Sequence, residues 1–335
     1  MSNEGQKRSL GGISHRAWEH AADTAALATL QGVPGLPELT KMLIGATTEK
    51  SLRLLSLASS VRVSSTQFPR TQTLYQEACE RLDIESPPEL FVSQNPFLNA
   101  GATGADHPFI VINSAAVESF DDAELTSVLG HELGHCLSGH VLFKTLLQFL
   151  LRIPFSLIRI PAAGVALMAV IAALNEWDRK SELSADRAGI LATQEPESSF
   201  TLLMKMAGGT DHSQMSLESF LEQAREYEKN GNLLDSVHKI LNVQRRSHPF
   251  PVARLSELKT WVDAGHYQRI LDGEYPRKGD SDDIKKAWSR AQKQYRDDIR
   301  TSKDPLSNAA ESVLSKVDDM VDQVKDIFGP IFGKK

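Results

Sequence analysis

Cysteine is scarce in this chain: Cys79 and Cys136 are the only two among 335 residues. Two thiols make no disulfide framework, which excludes the small disulfide-stapled secreted scaffolds. Buried thiols in a reducing, cytoplasmic setting are the expectation for both. Excess positive charge is also missing. A formal net charge of -6 with no predominantly basic domain excludes the electrostatic footprint of a nucleic-acid-binding protein. Residues 1–35 hold no charged head followed by an apolar core, so no secretory signal is expected. An uninterrupted apolar run of membrane-spanning length, about 20 residues, is missing too. The stretch 141–174 is strongly apolar, but Lys144, Arg152 and Arg159 interrupt it and Pro154 and Pro161 break it. Its uncharged remainder, Ile160–Asn175, is too short to span comfortably.

What is there is an ordinary globular balance of apolar and charged residues, long enough for one sizeable catalytic domain with helical additions. The most informative segment is His131-Glu132-Leu133-Gly134-His135. Residues four apart on a helix return to nearly the same face, so two imidazoles at this spacing can bind one zinc ion. Glu132 then leans over the open side of the metal as general base and later general acid. The pentapeptide is short, so its context matters. Asp121 reads as an N-cap with Glu124 as its capping-box partner. Leu125, Val128, Leu129, Leu133 and Leu137 recur at helical spacing, and Gly134 keeps the helix slim. The bland alternative is two helix histidines with ordinary hydrogen-bond partners.

A hydrolytic zinc wants three protein ligands and an open position. Glu182 and Asp186, in the run Ser181-Glu182-Leu183-Ser184-Ala185-Asp186-Arg187-Ala188-Gly189, share another helical face. Glu182 is the candidate carboxylate ligand. Asp186 is the candidate acceptor for the non-ligating nitrogen of a zinc-bound histidine. Small residues at 184, 185, 188 and 189 would let the two helices lie close. An acidic pair at this spacing is common on solvated helices, so its weight comes from the upstream pentapeptide. His140 lies off the zinc-binding face and reads as structural. Cys136 is not needed by a site of His131, His135 and Glu182.

These segments together resemble the gluzincin metallopeptidases of family forty-eight, which include the HtpX heat-shock proteases and the CAAX prenyl proteases. Two more stretches fit: Asn99-Ala100-Gly101-Ala102-Thr103-Gly104 before Phe109–Asn113, and Ser247-His248-Pro249-Phe250-Pro251 with Arg254. The likeness spans about Pro87 to Arg277. It implies that Asn99, Ala100, Gly101, Ala102 and Thr103 form a sheet edge where extended polypeptide substrate pairs backbone to backbone. It also implies that His248 reaches the site and stabilises the oxyanion; a loop histidine ordered by Pro249 is the equal alternative. Gly101 departs from the family, where an aromatic residue is usual. Arg254 reads as an ion-pair partner rather than a catalyst.

The fold expectation is α+β and mainly helical: a small β-sheet over two zinc-bearing helices, a gluzincin core with helical extensions. Residues 1–13 read as disordered, 14–86 as a helical region, 87–277 as the metallopeptidase core and 278–335 as a charged, amphipathic helical extension. Helices are expected over His15–Leu30, Pro37–Val61, Thr71–Leu82, Met215–Tyr227, Leu233–Val243, Leu255–Ala264, Ile284–Arg300 and Leu306–Phe328, with strands at Leu90–Val92 and Phe109–Ile112. Within the core, 141–174 reads as an inserted apolar helical hairpin. It is either buried or oligomer-contacting, which is preferred, or a peripheral membrane contact. The functional expectation is a zinc endopeptidase, one ion per chain, acting on extended polypeptide and serving protein quality control. Its rival is a zinc-containing scaffold with latent or no peptidase activity.

Overall fold

The computed structural model describes residues 7–31, 40, 44, 46–151, 161–229, 248 and 250–280. The expectations for 1–6, for the middle of the apolar insertion (152–160), for the helix over 233–243 and for the C-terminal helices over 284–328 lie outside the described residues. A 3₁₀ turn, His15–Ala17, leads into α1 (Ala21–Gln31) and α2 (Ala46–Ser59). Then come β1 (Val61–Arg62), α3 (Pro69–Arg81), β2 (Glu89–Ser93), β3 (Ala100–Thr103), β4 (Phe109–Asn113), α4 (Ser114–Ser119) and α5 (Asp122–Leu137). The chain continues with α6 (Val141–Leu151), α7 (Pro161–Thr193), α8 (Pro196–Gly208), α9 (Leu217–Lys229), α10 (Pro251–Asp263) and α11 (His266–Leu271). The protein is α+β and mainly helical.

The sheet runs β1-β2-β4-β3. β2 and β4 pair in parallel, while β1 joins β2 and β3 joins β4 antiparallel. That order leaves β3 at an edge. Donation from the Asn113 N–H to the Asn99 carbonyl, 2.9 Å, sets the alternation of this ladder. It turns the polar groups of Ala100 and Ala102 away from β4, although both residues are buried.

α5 starts where its sequence says. Asp121 accepts from the Glu124 N–H at 2.9 Å and Glu124 accepts from the Asp121 N–H at 3.1 Å, a complete capping box. Glu124 also pairs with buried Lys205 of α8 at 2.7 Å. Leu125, Leu129 and Leu133 are fully buried against Ile110 and Ile112 of β4 and the rest of the core.

The approach of α5 to α7 depends on small residues. A Cβ on Gly130 would stand 2.3 Å from Ala192 Cβ, one on Gly134 2.5 Å from Ala188 Cβ, and one on Gly189 2.7 Å from the Ser127 carbonyl. Real Cβ atoms do not come that close, so these glycines set the spacing of the two helices.

Several expectations are corrected. The disorder expected through residue 13 does not hold from residue 7: Leu10 and Ile13 are buried, the Leu10 N–H donates to the Arg81 carbonyl, and Ile13 bridges Arg277. Two apolar anchors in a polar, Gly-containing stretch suffice to order it. The helix expected over 15–30 is broken at Trp18–His20. There the His20 N–H donates to Ser184 Oγ, and His20 Nδ1 accepts from the Ala22 N–H at the start of α1. Helices α8 and α11 and strand β1 were not anticipated; Gly265 at φ 77° ends α10, and Tyr267 and Ile270 then bury in α11. The second arm of the apolar insertion and the helix bearing Glu182 are one continuous helix, α7. No helix among the described residues is long and apolar enough to cross a membrane.

Candidate metal centre

α5 supplies His131, Glu132 and His135, and α7 supplies Glu182 and Asp186. The two helices face each other with His131 Nε2 and His135 Nε2 3.1 Å apart. Glu182 Oε2 is 3.6 Å from His131 Nε2, and Glu182 Oε1 is 3.2 Å from His135 Nε2. With His248, these groups offer four donor atoms within 4.8 Å of one another. Ligands bonded to a tetrahedral zinc at roughly 2.0–2.2 Å sit about 3.3–3.6 Å apart, so the spacing suits that ion. Glu132 supports the same fit. Its Oε2 is buried with no hydrogen-bond partner among the described residues, a cost of about 1–3 kcal/mol unless water or substrate meets it.

Burial, with help from nearby Lys144, holds His135 well below the usual imidazole range, which keeps it neutral, the form that binds a metal. Burial alone would raise the Glu182 carboxyl, but His248, Lys144 and Arg254 outweigh it and hold the group well below the usual range. Asp186 behaves alike: burial opposes ionisation and the Arg254 guanidinium overrides it. His248 is shifted upward; burial opposes its charge, but Glu182 and Glu132 prevail.

The remaining expected residues are placed as follows. Asp186 Oδ1 stands 3.0 Å from His131 Nδ1. Arg254, from α10, grips Asp186 through Nε at 2.8 Å and Nη2 at 2.5 Å, and its Nη1 reaches Glu182 Oε2 at 3.0 Å. His248 lies between helix and sheet: its Nδ1 is 2.7 Å from Glu182 Oε2, its Nε2 2.9 Å from the Ala100 carbonyl and 3.5 Å from Glu132 Oε1. Asn99 and Ala100 line the same cleft, whose apolar lining includes Phe120, Val128, Leu203 and Met206. Thr103 does not; it lines a separate cavity with Phe109 and Val111. Gly101 faces open space, with nothing within 4 Å of an added Cβ. Both cysteines are free thiols and neither joins the donor cluster.

Lys144 and Asp178 were missed. Lys144 Nζ lies 2.7 Å from both Asp178 Oδ1 and Glu182 Oε1, fully inside the protein. The signal was present: a lysine in an apolar helix needs an acidic partner. Asp178, Glu182 and Asp186 form an acidic stripe at intervals of four on one helix.

A metal held by two imidazoles and a carboxylate beside a free carboxylate is the equipment of a hydrolytic metalloenzyme. The model of peptidase family M48 matches residues 65–262, which contain every one of these groups. The chain belongs to peptidase family M48. It is a zinc metallopeptidase of the HtpX-like kind. The plastoglobule-localized metallopeptidase 48 of Arabidopsis thaliana chloroplasts is 35% identical over 260 residues, spanning 76% of this chain and 74% of the relative. A protease HtpX homolog 2 of Methanosarcina acetivorans is 24% identical over 173 residues, 44% of this chain and 58% of its own. An HtpX homolog of Tropheryma whipplei is 27% identical over 190 residues, 47% of this chain and 62% of its own. The chain thus spans little more than half the length of these HtpX relatives. No solved structure matches it. Membership in M48 implies a metal, typically zinc, and a polypeptide substrate.

Proposed function

We propose that this M48 chain is an endopeptidase in which His131, His135 and Glu182 hold one zinc ion, and which cuts extended polypeptide laid along β3. The observation that carries this reading is a cleft lined both by histidine and carboxylate donors and by Asn99 and Ala100 at the start of strand β3, which has one strand neighbour among the described residues. When bound, zinc lowers the pKa of water and polarises the scissile carbonyl. The residues of the chain supply the rest. Glu132, with one carboxylate oxygen unpaired, takes a proton from the attacking water and delivers it to the leaving nitrogen. Asp186, itself clamped by Arg254, holds His131 through Nδ1 and leaves Nε2 to face the other donors.

Ala100 and Ala102 turn their backbone polar groups away from β4, and a substrate strand that displaces what now covers these buried residues would pair with them. His248 now caps the Ala100 carbonyl. An incoming strand takes that carbonyl and releases the imidazole to the developing oxyanion, a few ångströms from Glu132. Edge pairing reads backbone rather than sequence, which suits misfolded chains and a role in protein quality control. The apolar part of the cleft lining takes an apolar side chain beside the scissile bond. For location we infer a reducing, cytoplasmic compartment, which two free thiols suit. Peripheral attachment at a membrane surface through 141–174 and homo-oligomer formation belong to the same proposal, and the plastoglobule location in the name of the Arabidopsis relative favours the former. We likewise divide the chain at 86 and 277, with the peptidase core between.

The deciding experiment is cleavage of a quenched mixed-peptide library by the zinc-loaded protein, beside Glu132→Gln and a chelator-treated sample. Turnover in the wild type alone supports the reading. Absence of turnover at stoichiometric zinc rejects it in favour of a scaffold.

A further inference from the structure

One buried chain of polar groups has no part in that chemistry. On the side of His135 away from His131, Nδ1 lies 3.0 Å from Nδ1 of His140. His140 Nε2 in turn lies 2.9 Å from Asp23 Oδ2, bent off ideal hydrogen-bond alignment. Exposure is 0% for both histidines and 1% for Asp23, so no solvent can stand in for any member. Asp23 is itself anchored: Oδ1 accepts from Trp177 Nε1–H at 3.1 Å, and Oδ2 accepts from the Ser184 hydroxyl at 2.5 Å. Trp177 meets the His140 ring edge-on, centroids 5.7 Å apart. Trp177 and Ser184 both belong to α7, the helix of Glu182.

The placement of protons follows from the end of the chain. An ionised carboxylate only accepts, so Asp23 calls for a proton on His140 Nε2. A His140 ring carrying only that proton has a bare Nδ1, which accepts from His135 Nδ1–H. His135 is left with its lone pair on Nε2, the nitrogen facing Glu182 and His131. The opposite arrangement would put a proton on His135 Nε2 and point two donors, Trp177 and Ser184, at an Asp23 that received nothing from His140. His131 reaches the same state by a shorter route, its Nδ1 lying directly against Asp186.

We propose that Asp23 is a positioning residue for the metal centre: acting through His140, it fixes His135 as the Nδ1–H tautomer so that Nε2 presents its lone pair to the metal. The inference rests on the reading of His135 as a ligand. Asp23 sits on α1, upstream of residue 65 where the family match begins. The N-terminal helix of this chain is therefore part of its metal site, not an appendage.

Two measurements on the full-length protein test this. The first is long-range ¹H–¹⁵N correlation of the ring nitrogens in zinc-loaded, histidine-labelled wild type. The expected result is a proton on Nδ1 of His135 and on Nε2 of His140; a proton on His140 Nδ1 overturns the proposal, and no variant is needed. The second is the zinc dissociation constant, read by competition with a chromophoric chelator, for Asp23→Asn, His140→Phe and the double variant. Each single change should weaken zinc about 10–100-fold, with the double variant no worse than His140→Phe alone. Wild-type zinc affinity in a folded Asp23→Asn protein, or effects that multiply in the double variant, would overturn it. His135→Ala separates the two levels. Retention of zinc by that variant refutes the ligand reading itself. Loss there with no change in Asp23→Asn refutes only the role of Asp23.

Discussion

The two walls of the cleft are built on opposite terms. On one, α5 and α7 lie so close that Gly130, Gly134 and Gly189 have no room for a Cβ, and every polar group of the donor set leans on another buried group. On the other, β3 has one strand neighbour among the described residues, Gly101 faces open space, and the His248 imidazole bridges to the helices. Chemistry needs donors fixed to fractions of an ångström, and close-packed helices provide that. Accepting varied polypeptide needs backbone groups that can exchange partners, and an edge strand whose Ala100 carbonyl is held by one imidazole suits that.

The largest effect expected on the rigid wall is chemical. Glu132→Gln keeps the shape of the side chain and removes the base, so kcat should fall roughly 10²–10⁴-fold while zinc content measured by absorption spectroscopy stays at one per chain. Near-normal kcat in that variant would remove Glu132 from the mechanism. The second effect is mechanical. Gly130→Val drives a side chain into Ala192, already 2.3 Å from the first added carbon. We expect a loss of about 3 kcal/mol in urea unfolding, together with weaker zinc binding as α5 and α7 separate. Unchanged stability would mean that the helix spacing does not depend on this glycine.

The rigid wall was also the legible one. His131, Glu132, His135, Glu182 and Asp186 stand at helical intervals, and the capping box and the small residues of α7 are local signals with local causes. The residues missed there were long-range. Lys144 in an apolar helix calls for an acidic partner without saying which, and nothing near His140 announces Asp23; only folding brings each pair together. The order of residues 7–13 escaped notice for a related reason, since Leu10 and Ile13 find their partners in α3 and near Arg277. The open wall was legible mainly by family resemblance. Four residues of β3, one a bare glycine, carry too little pattern to declare an edge strand.

A pH dependence checks how far the rigid wall extends toward the N-terminus. Burial, then the charges of Arg187 and Lys180, lower His20 from 6.5 to about 4. The folded pKa is below the unfolded one, so the unfolded state takes up the proton first as pH falls. Stability is therefore retained above about 6.5 and lost as pH drops toward 4, by about 2 kcal/mol at pH 5. His20→Gln should remove that share of the slope between pH 7 and pH 5 in urea unfolding. An unaltered slope would show that His20 is solvated in the folded protein.

The smallest effect on stability belongs to the open wall, and it sharpens the contrast most. Gly101→Phe places a ring where a Cβ meets nothing within 4 Å, at a position whose backbone is ordinary strand. Its stability should stay within about 0.5 kcal/mol of wild type, against the large loss at Gly130. The cut sites in a mixed-peptide library should change nonetheless if substrate pairs along β3 as proposed, because the ring would stand beside that edge and collide with some side chains accepted at a bare glycine. Unchanged stability with an unchanged cleavage pattern would show that substrate does not run along β3. A loss comparable to that at Gly130 would show that the second wall is as tightly packed as the first.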